Sequence, residues 1–203
     1  MVYYIVWQVL RVLVIVFFRI RTYGKRNMPV KGGALLASNH QSYLDPALIA
    51  LALNKPIYFL ARKELFKANW VFGWLITQLH SIPLDRKGAD STGLRRAIEV
   101  LRNGGLLVVF PEGTRTPDGR IGEIKKGVTL LGMRANVPLI PTLVDGAYKS
   151  WPRKSKLPVR FAPVTVRFGQ PVWLDNYGQS PDGPDISVIP ERWNQLAKSK
   201  NIY

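Results

Sequence analysis

His40 and Asp45 stand five residues apart in "NHQSYLDP", residues 39–46 of a 203-residue chain that has only two histidines. A carboxylate that holds one imidazole nitrogen as N–H leaves the lone pair of the other nitrogen free to take a proton. An imidazole titrates at about 6.5, so such a pair can draw a proton from a hydroxyl near neutral pH. The same spacing recurs at His80 and Asp85 in "HSIPLD". There the intervening Ser-Ile-Pro-Leu favours an extended path, which separates residues five apart by ~16 Å. Around His40 the chain leaves one element and enters another, so it must reverse, and imidazole and carboxylate come within reach. Asp45 before Pro46 is equally suited to cap a helix, and His40 to fill a turn. The chain has no cysteine, and neither Ser38 nor Ser42 lies in a nucleophile elbow. That favours direct transfer to an acceptor hydroxyl over a covalent enzyme intermediate.

A second constellation is "FPEGTR", Phe110–Arg115. Pro and Gly shape a turn whose amides and Thr114 hydroxyl suit an anion, and Arg115 can fork onto phosphate oxygens. Glu112 is out of place beside a phosphate and better suited to orienting Arg115 or the turn.

The elements that position these groups alternate between short apolar runs and helical patterns, which signals an α/β domain. Residues 33–39 read as a buried strand and Asp45-Pro46 as a helix start. Strands follow at 56–61, 81–86, 106–110, 138–144 and 164–168. Helices are expected at 70–79, 90–102, 125–135 and near 191–198. The first long helix closes at Asn103-Gly104-Gly105. The basic, Pro-broken stretch 148–160, which carries Trp151, reads as an exposed loop.

Composition narrows the partners. The 29 Lys and Arg against 13 Asp and Glu leave a formal charge of +16, a field that favours phosphate-bearing partners. Met1–Phe18 is almost wholly apolar, is followed by Arg19, Arg21, Lys25 and Arg26, and no acid precedes Asp45. Gln8 and Arg11 interrupt the run, and with Tyr4 they form a narrow polar stripe on a helix. The expectation is an N-terminal helix, residues 1–26 with its basic flank, lying in one leaflet and holding a domain of residues 27–203 on the cytoplasmic side. The same run can also form a core helix packed on the domain. No nucleic-acid motif is present, and the absence of cysteine excludes disulfides and thiolate metal sites. Trp70, Phe72 and Trp74 near Lys63 and Lys67 suit either an interfacial surface or core. Trp151 with Lys149, Arg153, Lys154 and Lys156 is a further interfacial candidate.

Four segments in register, "NHQSYLDP" (39–46), "IPLDR" (82–86), "FPEGTR" (110–115) and "VPLIPTLVDG" (137–146), resemble the motif blocks of the glycerolipid acyltransferases, in particular the 1-acyl-sn-glycerol-3-phosphate acyltransferase branch. The resemblance covers residues 28–175. It implies a single α/β domain with a mostly buried mixed sheet flanked by helices, at the cytoplasmic face of the cell inner membrane. It implies transfer of a fatty acyl group from acyl-CoA or acyl-carrier protein to the sn-2 hydroxyl of lysophosphatidic acid, without metal or cofactor. On that basis His40 is the general base and Asp45 its orienting partner. Arg86, Glu112, Gly113, Thr114 and Arg115 form the phosphate site, with help from Arg62 or Lys63 in "ARKEL". The second block departs from the family, which begins it with a glycine where this chain has "HSIPLDR". Glycerol 3-phosphate or another lysolipid remains open as acceptor, and a non-catalytic module for anionic membranes is the reading from another class.

Overall fold

The computed structural model describes residues 8, 12, 18–68, 70–85, 92–155, 160–174, 179–180, 183–184 and 186–199. Seven strands form one sheet: Arg21–Tyr23 (β1), Ala34–Ser38 (β2), Tyr58–Arg62 (β3), Ser81–Leu84 (β4), Leu106–Val109 (β5), Leu139–Asp145 (β6) and Thr165–Phe168 (β7). Their order is β1-β7-β6-β2-β5-β3-β4. The β6–β7 pair is antiparallel and the other pairs are parallel, so the sheet is mixed.

The strands at the centre are mostly apolar because both of their faces are covered. Leu36, Val108 and Ile140 point into one core with Leu48, Ile49 and Phe168. Leu35, Leu107 and Leu139 point into the other, with Ala97, Leu101, Leu131 and Trp193. Neighbours along a strand therefore feed opposite cores, as the two-residue period requires. Asp45–Leu53 (α1) lies on the first face. Thr92–Arg102 (α4), Gly127–Ala135 (α5) and Val188–Lys198 (α7) cover the second. In α4 the buried positions Gly93, Ala97 and Leu101 recur every four residues, flanked by the partly buried Leu94, Ile98 and Val100, with Arg95, Arg96, Glu99 and Arg102 exposed. Leu65–Ala68 (α2) and Trp70–Gln78 (α3) connect β3 to β4, and Ala147–Ser150 (α6) follows β6.

Three local readings change. Arg21–Tyr23, inside the expected basic flank of the anchor, is an edge strand paired with β7, and the Arg21 N–H donates to the Val164 carbonyl at 2.9 Å. The stretch from Tyr148 is not wholly an exposed loop. It opens in α6, with Ser150 buried and the Tyr148 hydroxyl donating to the Pro117 carbonyl at 2.8 Å. Asp45 is not a helix cap: the N-cap position belongs to Leu44, and the Asp45 carboxylate turns back along the chain. Of the expected apolar N-terminal run Met1–Phe18, only Gln8, Val12 and Phe18 are among the described residues, and Phe18 is buried in the first core. Among the described residues no helix is long and apolar enough to cross a membrane.

Candidate active site

The strands β2, β5, β3 and β4 are adjacent and parallel, so the loops leaving their carboxyl ends gather along one edge of the sheet. Ligand sites of open α/β sheets are found at that edge. His40 follows β2 there, Glu112–Arg115 follows β5, Lys63 follows β3, and Asp85 follows β4.

Asn39 sets the direction in which the chain leaves β2. The β2–β6 ladder ends at Ser38 opposite Thr142. Beyond it the Asn39 side-chain amide donates to the Val144 carbonyl at 2.9 Å, and its oxygen accepts from the Val144 N–H at 2.8 Å. A side chain thus continues the ladder where the main chains part, which frees residues 40–44 to turn. No sequence signal beyond its place in "NHQSYLDP" marks Asn39.

The turn then wraps around Asp45. One oxygen of this fully buried carboxylate, Oδ2, accepts from the Gln41 N–H at 2.6 Å and the Ser42 N–H at 2.7 Å, and it lies 2.8 Å from His40 Nδ1. A carboxylate only accepts, so Nδ1 carries a proton and the lone pair of a neutral ring sits on Nε2. Among the described residues no hydrogen-bond partner occupies Nε2. The ring is partly exposed and lies against Phe110, with centroids 3.9 Å apart and planes 18° from parallel.

The main chain of His40 is clamped by the loop after β5. Its N–H donates to Glu112 Oε1 at 2.8 Å, and its carbonyl accepts from the Thr116 N–H at 2.8 Å. The second Glu112 oxygen accepts from the Gly122 N–H at 2.8 Å. A Cβ at Gly122 would sit 2.9 Å from that oxygen, so glycine permits the approach. Glu112 thereby departs from its expected place in a phosphate site: both oxygens are taken by backbone donors, and the carboxylate holds the loop that holds His40. Burial pushes the Glu112 carboxyl above its ordinary range, and the N–H donors of Gly122 and His40 pull it partly back.

Gly113 adopts a left-handed φ of 71° in the turn and Thr114 is exposed. The Arg115 guanidinium lies 3.3 Å over the ring of Tyr43, which belongs to the same loop as His40. Tyr43 in turn leans on Trp151, with centroids 5.2 Å apart. Trp151, an expected interfacial residue, is therefore partly spent as a wall behind Arg115. Among the described residues Nη1 of Arg115 is buried without a hydrogen-bond partner. Arg62 reaches the Gly113 carbonyl at 3.4 Å, and Lys63 pairs with Asp85. Asp85 of the second His-x4-Asp spacing is thus engaged with Lys63, while His80 stacks on Tyr58. Arg86 and Lys156 lie outside the described residues. Among the described residues no group of three or more His, Cys, Asp or Glu side chains is arranged to hold a metal ion.

The Acyltransferase family pattern matches residues 19–145, more than half of the chain. The chain belongs to the acyltransferase family. The acyltransferase is 25% identical over 180 residues to the 1-acyl-sn-glycerol-3-phosphate acyltransferase of Bacillus subtilis, covering 88% of this chain and 86% of that protein. It is 30% identical to the chloroplastic 1-acyl-sn-glycerol-3-phosphate acyltransferase BAT2 of Brassica napus over 92% of this chain, which spans 52% of the plant protein. Its fold is similar to the crystal structure of the 1-acyl-sn-glycerophosphate (LPA) acyltransferase PlsC from Thermotoga maritima. The TM-score is 0.72 at 26% identity, covering 98% of this chain and 81% of that one. The acyltransferase is therefore an enzyme that moves an acyl group, on a mixed α/β domain whose seven-stranded sheet is flanked by helices.

Proposed function

We propose that the acyltransferase carries a fatty acyl group from a thioester, acyl-CoA or acyl-carrier protein, to the sn-2 hydroxyl of lysophosphatidic acid, yielding phosphatidic acid. The observation that carries this reading is that the loop from Phe110 to Thr116 holds both main-chain groups of His40 and also bears Arg115. A base and a guanidinium share one lip, and an acceptor with a hydroxyl near a phosphate has use for both. The relatives named as 1-acyl-sn-glycerol-3-phosphate acyltransferases support the same acceptor.

In this reading Nε2 of His40 takes the proton of the acceptor hydroxyl as its oxygen attacks the thioester carbonyl carbon. Asp45 stabilises the imidazolium that forms and fixes the tautomer beforehand. The tetrahedral oxyanion collapses, the C–S bond breaks, and the leaving thiolate recovers the proton from Nε2. The carbon–sulfur bond is already activated, so a base, positioning and donors for the oxyanion suffice. Arg115 binds the acceptor phosphate, with Gly113 and Thr114 in the turn and Arg86 and Arg62 alongside. Lys63 joins them only by exchanging its Asp85 partner. The N-terminal segment and the charge of +16 support a place at the cytoplasmic face of an anionic membrane, the inner membrane of a cell that has two.

The test is acyl transfer to a panel of acceptors, with product masses read by mass spectrometry. Lysophosphatidic acid is the preferred acceptor in the wild type, and His40→Ala abolishes its turnover. Near-normal transfer by His40→Ala ends the mechanism, and preference for glycerol 3-phosphate or an uncharged lysolipid ends the acceptor assignment.

A further inference from the structure

Beyond the reaction itself, the helical corner between β3 and β4 carries an apolar surface that is exposed. Trp70 is 83% exposed and Trp74 is 49% exposed, and they stand one turn apart on α3. Leu65, on the preceding short helix, is 39% exposed. A buried core helix is the ordinary fate of "WVFGWLI", yet the two largest side chains of this segment face solvent. The corner is tight: a Cβ on Gly73 would lie 2.3 Å from the Phe66 carbonyl, so glycine lets α3 press directly on the main chain of α2.

Chemistry around the patch identifies its occupant. Arg62, Lys63 and Lys67 are exposed beside it, and against them stand Glu64 and Asp85, the latter paired with Lys63. Indole rings prefer the boundary between hydrocarbon and headgroups, where the ring is half buried and the N–H stays wet. Cations at the same depth meet anionic headgroups. The patch also begins three residues after β3 ends, at the edge of the sheet that carries His40, and Arg62 bridges the two by touching the Gly113 carbonyl. We infer that Trp70, Trp74 and Leu65, ringed by Arg62 and Lys67, form a docking face for an anionic lipid bilayer, distinct from the N-terminal segment. This face brings the lip of the site down to the bilayer surface. The last step rests on the lipid acceptor proposed above, whereas the docking itself does not.

The chain has no cysteine, so one introduced thiol reports from one place. Full-length Trp74→Cys and Glu99→Cys are each labelled with an environment-sensitive fluorophore. Both are mixed with phosphatidylcholine vesicles, with or without phosphatidylglycerol, and no acyl donor is present. Position 74 shifts to the blue and is quenched by spin-labelled lipid, more strongly with phosphatidylglycerol. Position 99, exposed on α4, does neither. In a second arm the double variant Trp70→Ser/Trp74→Ser loses about tenfold or more in vesicle affinity. It keeps wild-type turnover on a short-chain, water-soluble acceptor. An unmoved label at 74, an equal response at 99, or vesicle binding at the wild-type level by the double variant overturns the inference. So does loss of soluble turnover in parallel with binding, or a change confined to self-association in sedimentation, which points to a second copy of the chain instead. Vesicle binding is read without turnover, so its failure is distinguishable from failure of the acyl-transfer reading.

Discussion

The ring of Phe110 lies nearly flat on the imidazole of His40, with centroids 3.9 Å apart, so the aromatic just after β5 backs the histidine two residues beyond β2. The ring of His40 is thus fixed at three points: Asp45 on Nδ1, Phe110 on one face, and the Glu112 clamp on its main chain. Removing Phe110 leaves the hydrogen bond to Asp45 but frees the ring to tilt. Stacked aromatic pairs contribute about 0.5–1.5 kcal/mol, so Phe110→Ala lowers kcat about two- to tenfold if that contact is what the transition state uses. Steady-state kinetics with the acceptor varied checks it: kcat falls and KM for the acceptor holds.

Asp45→Asn tests the carboxylate separately from the fold. The amide oxygen of asparagine can still accept the N–H groups of Gln41 and Ser42 at the place of Oδ2, and among the described residues Oδ1 makes no hydrogen bond. The turn therefore survives, but nothing offsets the charge of an imidazolium. We expect kcat to fall by roughly 10²–10⁴, the range seen when such a carboxylate is neutralised. The denaturation midpoint moves far less. A parallel collapse of stability and rate would mean that Asp45 serves the turn alone.

Glu112→Gln breaks the clamp on one side, because the amide nitrogen cannot accept and either the His40 or the Gly122 N–H goes unmet. The cost is about 1–3 kcal/mol of stability. The pH dependence has a definite sign. Burial raises the Glu112 carboxyl above its ordinary 4.5, so the folded chain holds this proton more tightly than the unfolded chain does. Its contribution to stability is complete below 4.5 and is lost as pH rises through the elevated value. Urea midpoints measured across that window show the advantage of the wild type over Glu112→Gln shrinking with rising pH. A gap that is constant or grows contradicts the assignment.

His80 occupies a left-handed backbone position, φ 58°, where the family resemblance leads one to expect glycine, and its ring stacks on Tyr58. Burial, and then the charge of Arg96, hold the imidazole below its ordinary 6.5. The unfolded chain binds this proton more readily, so the stability that His80 contributes is present above pH 6.5 and is lost as pH falls through the depressed value. Asparagine tolerates a positive φ and does not titrate. Below pH 6.5 the thermal midpoint of the wild type therefore declines relative to that of His80→Asn, and at pH 8 the difference is flat.

Much of this protein follows from its chain order alone. The mostly apolar runs at 33–39, 106–110 and 138–144 read as buried strands, and the strands Ala34–Ser38, Leu106–Val109 and Leu139–Asp145 lie there. The amphipathic pattern over 90–102 reads as a helix, and Thr92–Arg102 is one. The nearness of His40 to Asp45 also follows, because a strand and a helix separated by so few residues force the chain to reverse between them.

Tertiary structure decided the rest, because each remaining feature depends on which strands lie side by side. Arg21–Tyr23 is a strand only because β7 offers it an edge. Glu112 looked misplaced in its own segment, and its purpose appears only when β5 pairs with β2 and sets its carboxylate under the His40 N–H. Asn39 spans 105 residues of sequence to finish a ladder. Trp70 and Trp74 suit core or surface equally by sequence, and in the fold, where Gly73 packs on Phe66, both are exposed. Period and composition act within one element, whereas partners in a sheet are chosen by packing across the whole chain, and no local pattern records that choice.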